Sequence, residues 1–232
     1  MCQGFMKLAI LILTNLSFFS AYAQPDPPQT GARDSSQWET ENLNTGQSVS
    51  YLSLLEKEVL LELNKVRTDP RRYARVYLAP QIEKFKGKLN TQTRVETREG
   101  ATAMKECVSW LSASAKMGPL SPDKDLCNVA QRHTSAQSKT RETGHTSPNG
   151  ETFEDRLRKL KFSNSAECIS YGEDRARGIV ISLLVDDGVP SRGHRKIILD
   201  PRYSVVGISV GSHLVYSHMC TIDFGGGKMG KR

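Results

Sequence analysis

Two histidines of the sequence occur in loops rich in turn-forming residues, where an imidazole can project into a cleft. His145 lies in the segment 144–150, GHTSPNG, and His194 follows the segment 190–193, PSRG. Near neutral pH an imidazole can act as a base or can bind a metal ion in its neutral form. These two side chains are therefore the first candidates for chemistry.

Three carboxylates accompany them in the sequence. Glu167 precedes a short apparent strand, where a merely solvated glutamate is not expected. Asp186 and Asp187 follow a continuous apolar helix face and precede His194 by eight and seven residues. Imidazoles and carboxylates that converge can coordinate Zn²⁺, and three protein ligands with one water form a catalytic site. The same groups can instead bond to one another and shape a binding cleft.

The other histidines are predicted to be structural. His133 lies on the apolar face of a predicted helix, so we expect a buried core histidine. His218 alternates with apolar residues of the final strand and is expected on its packed side, whereas His213 belongs to a predicted turn. No strand-to-helix Gly-x-Ser-x-Gly motif surrounds Ser147 or Ser191, so neither serine is expected to be a nucleophile.

The elements that must position these residues are mostly helices followed by strands. Ser53 and Glu56 have capping-box spacing, and Asp69-Pro70 predicts a second helix that reaches Leu78. A basic loop is expected over 80–98. Further helices are predicted over 101–115, 124–139, 153–160 and 175–185, a short strand near 168–171, and a hairpin of 205–210 and 215–224 with its turn at Gly211-Ser212. This order predicts the α+β class, with helices packed against a small antiparallel sheet.

The ends of the chain are predicted to lie outside the folded domain. Residues 1–23 combine Lys7, a short apolar run and small residues at the cleavage point, which is typical of a secretory signal peptide. A short membrane anchor is the alternative, but a membrane span needs about 20 mostly apolar residues. We expect a flexible segment at 24–50, a domain at 51–225 and a disordered basic tail at 226–232.

Export changes the interpretation of the five cysteines. Cys2 leaves with the signal peptide, and an even number of cysteines in an oxidising compartment favours two disulfides. Of the three possible pairings we prefer Cys107–Cys127 with Cys168–Cys220; four buried thiols are the alternative. The close C-x-x-C spacing of a structural zinc site is absent from the sequence.

Composition excludes several classes of protein. The 232 residues are 38% hydrophobic and 25% charged, as in ordinary globular proteins. The formal charge of +7 comes from interspersed residues of both signs, so it indicates a mild preference for anionic surfaces and not a nucleic-acid footprint. The mature chain is expected to have no transmembrane segment.

Several motifs occur together and in a fixed order. The chain resembles the CAP superfamily of cysteine-rich secretory proteins, antigen 5 and plant pathogenesis-related proteins, and is most similar to its shorter microbial branch with an SCP domain. The segments that carry the resemblance are 64–70 (NKVRTDP), 144–147 (GHTS) with Arg156 beyond it, 166–172 (AECISYG), 185–195 (VDDGVPSRGHR) and 220–224 (CTIDF).

The resemblance implies an α-β-α sandwich with a wide cleft lined by two histidines and two acids. It makes His145 and His194 the histidine pair and the metal ligands of a possible Zn²⁺ site. Glu167 is the acid of the motif usually written Glu-Asn-Ile. The second acid of animal members lies on a tryptophan-containing helix, and this chain offers Asp186 or Asp187 instead. The candidate catalytic residues are therefore His145, Glu167, Asp187 and His194.

Three functions are compatible with the sequence. The first is a secreted, extracellular module that binds a ligand, for instance a lipid or sterol, or a cell-surface partner. The second is a metal-dependent, peptidase-like hydrolase that uses the same cleft. The third is an extracellular protein that holds anionic polysaccharide on its basic surface.

Overall fold

A four-stranded sheet lies between two helical layers in the computed structural model, which describes residues 38–93 and 95–228. Within these residues the helices are α1 (Leu54–Thr68), α2 (Pro70–Tyr73), α3 (Ala79–Ile82), α4 (Ala101–Ala113), α5 (Lys124–Gln137), α6 (Phe153–Leu157), α7 (Ala176–Val185) and α8 (Gly193–Ile198), with a π-helical turn at Ala74–Leu78. The strands are β1 (Phe85–Lys86), β2 (Leu89–Asn90), β3 (Val95–Glu96), β4 (Ser121–Pro122), β5 (Phe162–Tyr171), β6 (Val205–His213) and β7 (Ser217–Lys228).

The main sheet has the strand order β4-β6-β7-β5, so β5 is an edge strand. β7 is antiparallel to both β6 and β5, and the short β4 pairs with β6 in parallel. The predicted α+β sandwich is confirmed, and only the β4–β6 pair departs from a purely antiparallel sheet.

Alternation along β5 directs its side chains to two different layers. The Ser170 hydroxyl lies 3.2 Å from the Ser182 hydroxyl on α7, whereas the Tyr171 hydroxyl donates to Gln137 on α5 at 2.7 Å. Even-numbered residues of β5 therefore face α7, and odd-numbered residues face α5, because successive side chains of a strand point to opposite faces. Glu167 lies on the α5 face.

Most of the apolar core lies on the α7 side of the sheet. Buried leucines of α1, isoleucines of α7, and Ile222 and Phe224 of β7 pack there against α4. A smaller cluster under α5 contains Leu126, Val129 and Leu157. Burial of this apolar area is the main term that favours folding, at about 25 cal/mol per Å².

Local sequence signals explain where the first helices begin. The Ser53 backbone N–H donates to Glu56 at 2.7 Å and the Glu56 N–H donates to the Ser53 hydroxyl at 3.4 Å, which confirms the capping box. Asp69 accepts from the Arg72 N–H at 3.0 Å and so begins α2 at Pro70. The helices predicted over 101–115, 124–139, 153–160 and 175–185 are all present and shorter by one to three residues.

The structure corrects three predicted boundaries. Residues 38–50 pack on the domain instead of remaining flexible, because the Asn64 amide donates to the Leu43 carbonyl at 2.8 Å. β7 continues to Lys228, so residues 226–228 of the predicted tail belong to a strand. The predicted loop 80–98 contains part of α3 and the small sheet β1-β2-β3. The predicted signal peptide lies outside the described residues.

The hairpin turn lies later than predicted. Gly211 and Ser212 pair with Met219 and His218 in the β6–β7 ladder, and the turn occupies residues 214–216. His213 is buried and closes that turn, because its Nδ1 accepts from the backbone N–H groups of Val215 and Tyr216. His218 is exposed near the end of the hairpin, so the prediction that it packs inward was wrong.

All four cysteines of the described residues are free and buried. Cys107 on α4 donates to the Leu184 carbonyl at 3.3 Å, whereas Cys127 belongs to α5 in the opposite helical layer. Cys168 lies opposite Ile222, two positions from Cys220, so these thiols are not direct cross-strand partners. The structure therefore has neither preferred disulfide and matches the alternative of four buried thiols.

No helix in the part of the chain that the structure describes combines the length and apolar character needed for a membrane span.

Close contact between α5 and β6 at Gly207 generates a testable prediction. A Cβ atom there would overlap the backbone of Leu126 and Cys127. We expect Gly207→Ala to lower the free energy of unfolding by about 1–3 kcal/mol or more, since backbone must move to admit the methyl group. Urea denaturation measures the loss. Gly118→Ala is the matched control, because no atom lies within 4 Å of its added Cβ; equal stability of the two variants would contradict the prediction.

Candidate functional site

An open cavity of about 450 Å³ lies between the loop that carries His145 and the edge strand β5. We call it the His145 cleft. Its walls combine an imidazole, two carboxylates, three hydroxyl groups and one aromatic ring. The lining residues are His145, Thr146, Thr152, Phe153, Glu154, Ser165, Ala166 and Glu167.

A buried ion pair forms the base of the cleft. Glu167 accepts from Arg156 on α6 at 2.6 Å and from His145 Nδ1 at 2.9 Å. The side chains of Arg156 and Glu167 are 0% and 1% exposed, whereas that of His145 is 53% exposed. Burial acts to raise the pKa of Glu167, but the hydrogen bond from His145 and the charge of Arg156 hold it below its usual value. Glu167 is therefore ionised, and it orients the His145 ring.

Arg156 also fixes the loop on which His145 lies. Its guanidinium donates to the His145 carbonyl at 2.9 Å and to the Glu151 carbonyl at 3.3 Å. The helix that carries it begins with a capping box between Thr152 and Asp155. One side chain thus joins α6, the 145–151 loop and β5, and the resemblance in the sequence indicated its position beyond the loop.

His133 supports the same loop from α5. It is fully buried, as predicted, with Nδ1 2.9 Å from the Ser147 hydroxyl and Nε2 3.0 Å from the Gly144 carbonyl. Since a carbonyl only accepts, Nε2 carries the proton and Nδ1 accepts from Ser147. Burial lowers the pKa of His133, so the ring is neutral near pH 7. Helical periodicity alone gave no sign of these polar partners.

The second histidine pairs with a different acid. His194 Nδ1 lies 2.7 Å from Asp186 Oδ1, and the His194 backbone N–H donates to Asp186 Oδ2 at 3.1 Å. Asp186 ends α7 in the left-handed conformation, with φ of 56°, and its side chain is 2% exposed. His194 lies in the first turn of α8, which the sequence analysis placed in a loop.

Asp187 lies away from His194. Its two carboxylate oxygens accept from the backbone N–H groups of Arg98 and Glu99, at 2.7 and 2.9 Å. It therefore fixes the segment before α4, and Asp186 is the one of the two acids that contacts His194. The two acids differ in this way because the backbone turns sharply at Asp186.

An ion-pair cluster that the sequence analysis missed fixes the loop before His194. Arg192 adopts the left-handed conformation, with φ of 50°, and donates to Glu99 and Glu106 at 2.6 and 2.7 Å. Arg195 donates to Glu106 at 3.1 Å and to the Leu184 carbonyl at 2.6 Å. The acids of this cluster precede or belong to α4, about 90 residues earlier in the chain, so local spacing gave no signal for it.

The two histidine–acid pairs belong to different elements of the fold. Glu167 faces α5, whereas Asp186 follows α7 on the other side of the sheet. Both oxygens of each acid already accept hydrogen bonds. Among residues 38–93 and 95–228, no group of three or more His, Cys, Asp or Glu side chains is placed to hold a metal ion. The Zn²⁺ site expected at His145 and His194 stays a prediction.

The buried pair generates a prediction about stability. We expect Glu167→Gln to lower the free energy of unfolding by about 3–5 kcal/mol at pH 7, because Arg156 is left buried without its counter-charge. Because folding lowers the pKa of Glu167, its contribution is present above the unfolded value of about 4.3 and is lost as pH falls. Urea denaturation at pH 7 and pH 3 measures both effects.

Glu154→Gln is the matched control for that prediction, because Glu154 lines the same cleft but is exposed. Its stability should remain within about 0.5 kcal/mol of the parent value. A Glu167→Gln variant as stable as this control would show that the pair contributes nothing.

Solved structures include proteins that are similar to part of the chain. An extracellular protein containing an SCP domain from Bacillus anthracis is 25% identical, with a TM-score of 0.38 over 47% of this chain and 34% of that one. An outer surface protein from Borrelia burgdorferi is 20% identical, with a TM-score of 0.41 over 48% of this chain and 80% of that one. The chain thus spans about a third of the length of the first of these proteins.

Sequence comparisons define the family. No curated protein sequence matches the chain. The model of the cysteine-rich secretory protein family, CAP, matches residues 60–223, which is well over half of the chain and includes every residue of the His145 cleft. The chain therefore belongs to the CAP family of cysteine-rich secretory proteins.

Proposed function

We propose that this CAP protein is an extracellular binding module that holds a polar ligand in the His145 cleft without changing it chemically. One observation carries the proposal. The cleft presents hydrogen-bonding groups to solvent, while Glu167 behind them is fully engaged by His145 and Arg156. The pair is therefore arranged to hold the imidazole in one orientation.

The lining favours a ligand with hydroxyl or amide groups. His145 Nδ1 is bonded to Glu167, so its Nε2 remains for a ligand. The hydroxyls of Thr146 and Ser165 line the same space, whereas that of Thr152 is bonded to Asp155. Phe153 offers a partly exposed ring against which a flat apolar face can pack. A neutral saccharide combines these features.

A sterol or acyl chain fits this cleft less well than a saccharide. Small apolar ligands are generally held in enclosed pockets lined mainly by hydrophobic and aromatic side chains. Here Phe153 and Ala166 are the only apolar residues among the eight that line the cavity. A lipid is therefore an outcome for the binding experiment to exclude.

Among the described residues, no group of three potential metal ligands supports the hydrolase. Metal-assisted hydrolysis needs several ligands around one ion and an activated water. The acids of the His145 and His194 pairs belong to β5 and to the C-terminal end of α7. The His145–Glu167 pair by itself can orient a ligand, and we assign it that role.

Isothermal titration of the purified protein with neutral oligosaccharides, beginning with chitotriose and maltotriose, tests the proposal. We expect His145→Ala and Phe153→Ala to weaken binding at least fivefold, or about 1 kcal/mol, because each removes a direct contact. His218→Ala is the control, since His218 is exposed outside the cleft lining.

Other outcomes would replace the proposal. Binding only to phosphatidylcholine vesicles that contain cholesterol, abolished by the cleft variants, would identify a lipid site. Retention on an anionic polymer that is lost at high salt but kept in the cleft variants would locate binding on the basic surface.

Export is part of the proposed function. The signal-like residues 1–23 and membership of a family with secreted members support it. We expect protein expressed with its own N-terminus to be cleaved after Ala23 and to begin at Gln24, which intact-mass measurement determines. Recovery of an uncleaved chain from the cell interior would contradict export.

A further inference from the structure

Asp223 lies behind the His145 cleft and has no place in the function proposed above. It occupies the middle of β7, in register with Glu167 on β5 and with Gly207 on β6. Asp223 is 0% exposed to solvent. Because register partners in an antiparallel pair direct their side chains to the same face, the two carboxyl groups are neighbours on the α5 side of the sheet.

The hydrogen bonding of Asp223 is unusual for a buried acid. No N–H or hydroxyl donor of the described residues reaches either of its oxygens. The carboxyl group beside it on the same face of the sheet is that of Glu167, its register partner on β5. Two carboxyl groups can share a hydrogen bond only when one of them carries a proton, because ionised carboxylates only accept.

The surroundings decide which acid carries that proton. Glu167 accepts hydrogen bonds from the Arg156 guanidinium and from the His145 imidazole, and both donors stabilise its ionised form. Asp223 has no such donor, and burial followed by the charge of Glu167 raises its pKa well above the usual value. Other charged or titratable groups on the Asp223 side of the sheet are Arg156 on α6, and Arg132 and the neutral thiol of Cys127 on α5; the neutral thiol of Cys168 on β5 is close by but lies on the opposite face.

We propose that Asp223 is a neutral carboxylic acid that donates its proton to Glu167 and is the positioning residue behind the Glu167–His145 pair. The proton remains on Asp223, and Glu167 keeps a single negative charge balanced by Arg156. The cleft thereby rests on a chain of hydrogen bonds from Asp223 through Glu167 to the exposed imidazole. This inference goes beyond ligand binding, and its test requires no ligand.

The sign of the pH dependence follows from the raised pKa. Between the unfolded value of about 3.9 and the folded value, the native state binds one more proton than the unfolded chain. The contribution of Asp223 is thus fully present below about pH 3.9, and the folding equilibrium constant falls about tenfold per pH unit as pH rises. In Asp223→Asn this dependence disappears, while the amide still donates to Glu167.

The experiment compares urea denaturation of the parent protein and Asp223→Asn from pH 5 to pH 9. We expect the ratio of their folding constants to change about tenfold per pH unit until the folded pKa is reached, so that the variant becomes the more stable protein. Asp200→Asn is the matched control, because Asp200 is paired with Arg202. Between pH 5 and pH 9, the folding constant of Asp200→Asn should change with pH in the same way as that of the parent protein.

Two spectroscopic measurements on the folded protein complete the test. The carboxyl ¹³C shift of Asp223 in the parent protein should be that of a protonated acid at pH 7. The downfield Nδ1–H resonance of His145 should persist in Asp223→Asn and weaken in Asp223→Ala, which lacks the donor. Any one of three results would overturn the proposal. The ¹³C shift of Asp223 could be that of an ionised carboxylate, or the folding constants of the parent protein and Asp223→Asn could have the same pH dependence. The third result is an unchanged His145 resonance in Asp223→Ala.

Discussion

The buried ion pair of Arg156 and Glu167 is the interaction on which the cleft depends. Arg156 belongs to a helix of only five residues, and Glu167 belongs to an edge strand. A helix of this length is marginal without tertiary contacts, and β5 is paired along one side only. The guanidinium compensates the buried charge of the carboxylate and also binds two loop carbonyls, so electrostatics and loop geometry are satisfied by the same side chain.

Much of the fold was predictable because its signals are local. Ser53 with Glu56 and Asp69 with Pro70 begin helices through bonds that span three residues, and such spacing is visible in a sequence. The layer arrangement came from the order of elements and from the resemblance to the CAP superfamily. The end of the hairpin was less predictable, because Gly211 and Ser212 resemble a turn although their backbone pairs in the ladder.

The site was predictable only in part. The residue types and turn-rich loop identified His145, and the motif position identified Glu167, but the choice between Asp186 and Asp187 depended on one backbone conformation. Sequence patterns also did not reveal that the two histidines pair with different acids. Asp223 escaped notice because it alternates correctly along β7 as a strand residue, and its cross-strand neighbour is more than 50 residues away.

The left-handed backbone of Asp186 places two demands on a single position. Glycine would adopt that conformation without strain but would leave His194 without its acid. Glutamate would keep a carboxylate but would carry it on a longer side chain from a backbone that L-residues rarely adopt. Asparagine accepts the conformation and can still bond the imidazole, although it removes the charge. The number of amino acids tolerated here is therefore very small, and exchange at this position is expected to require simultaneous change at His194.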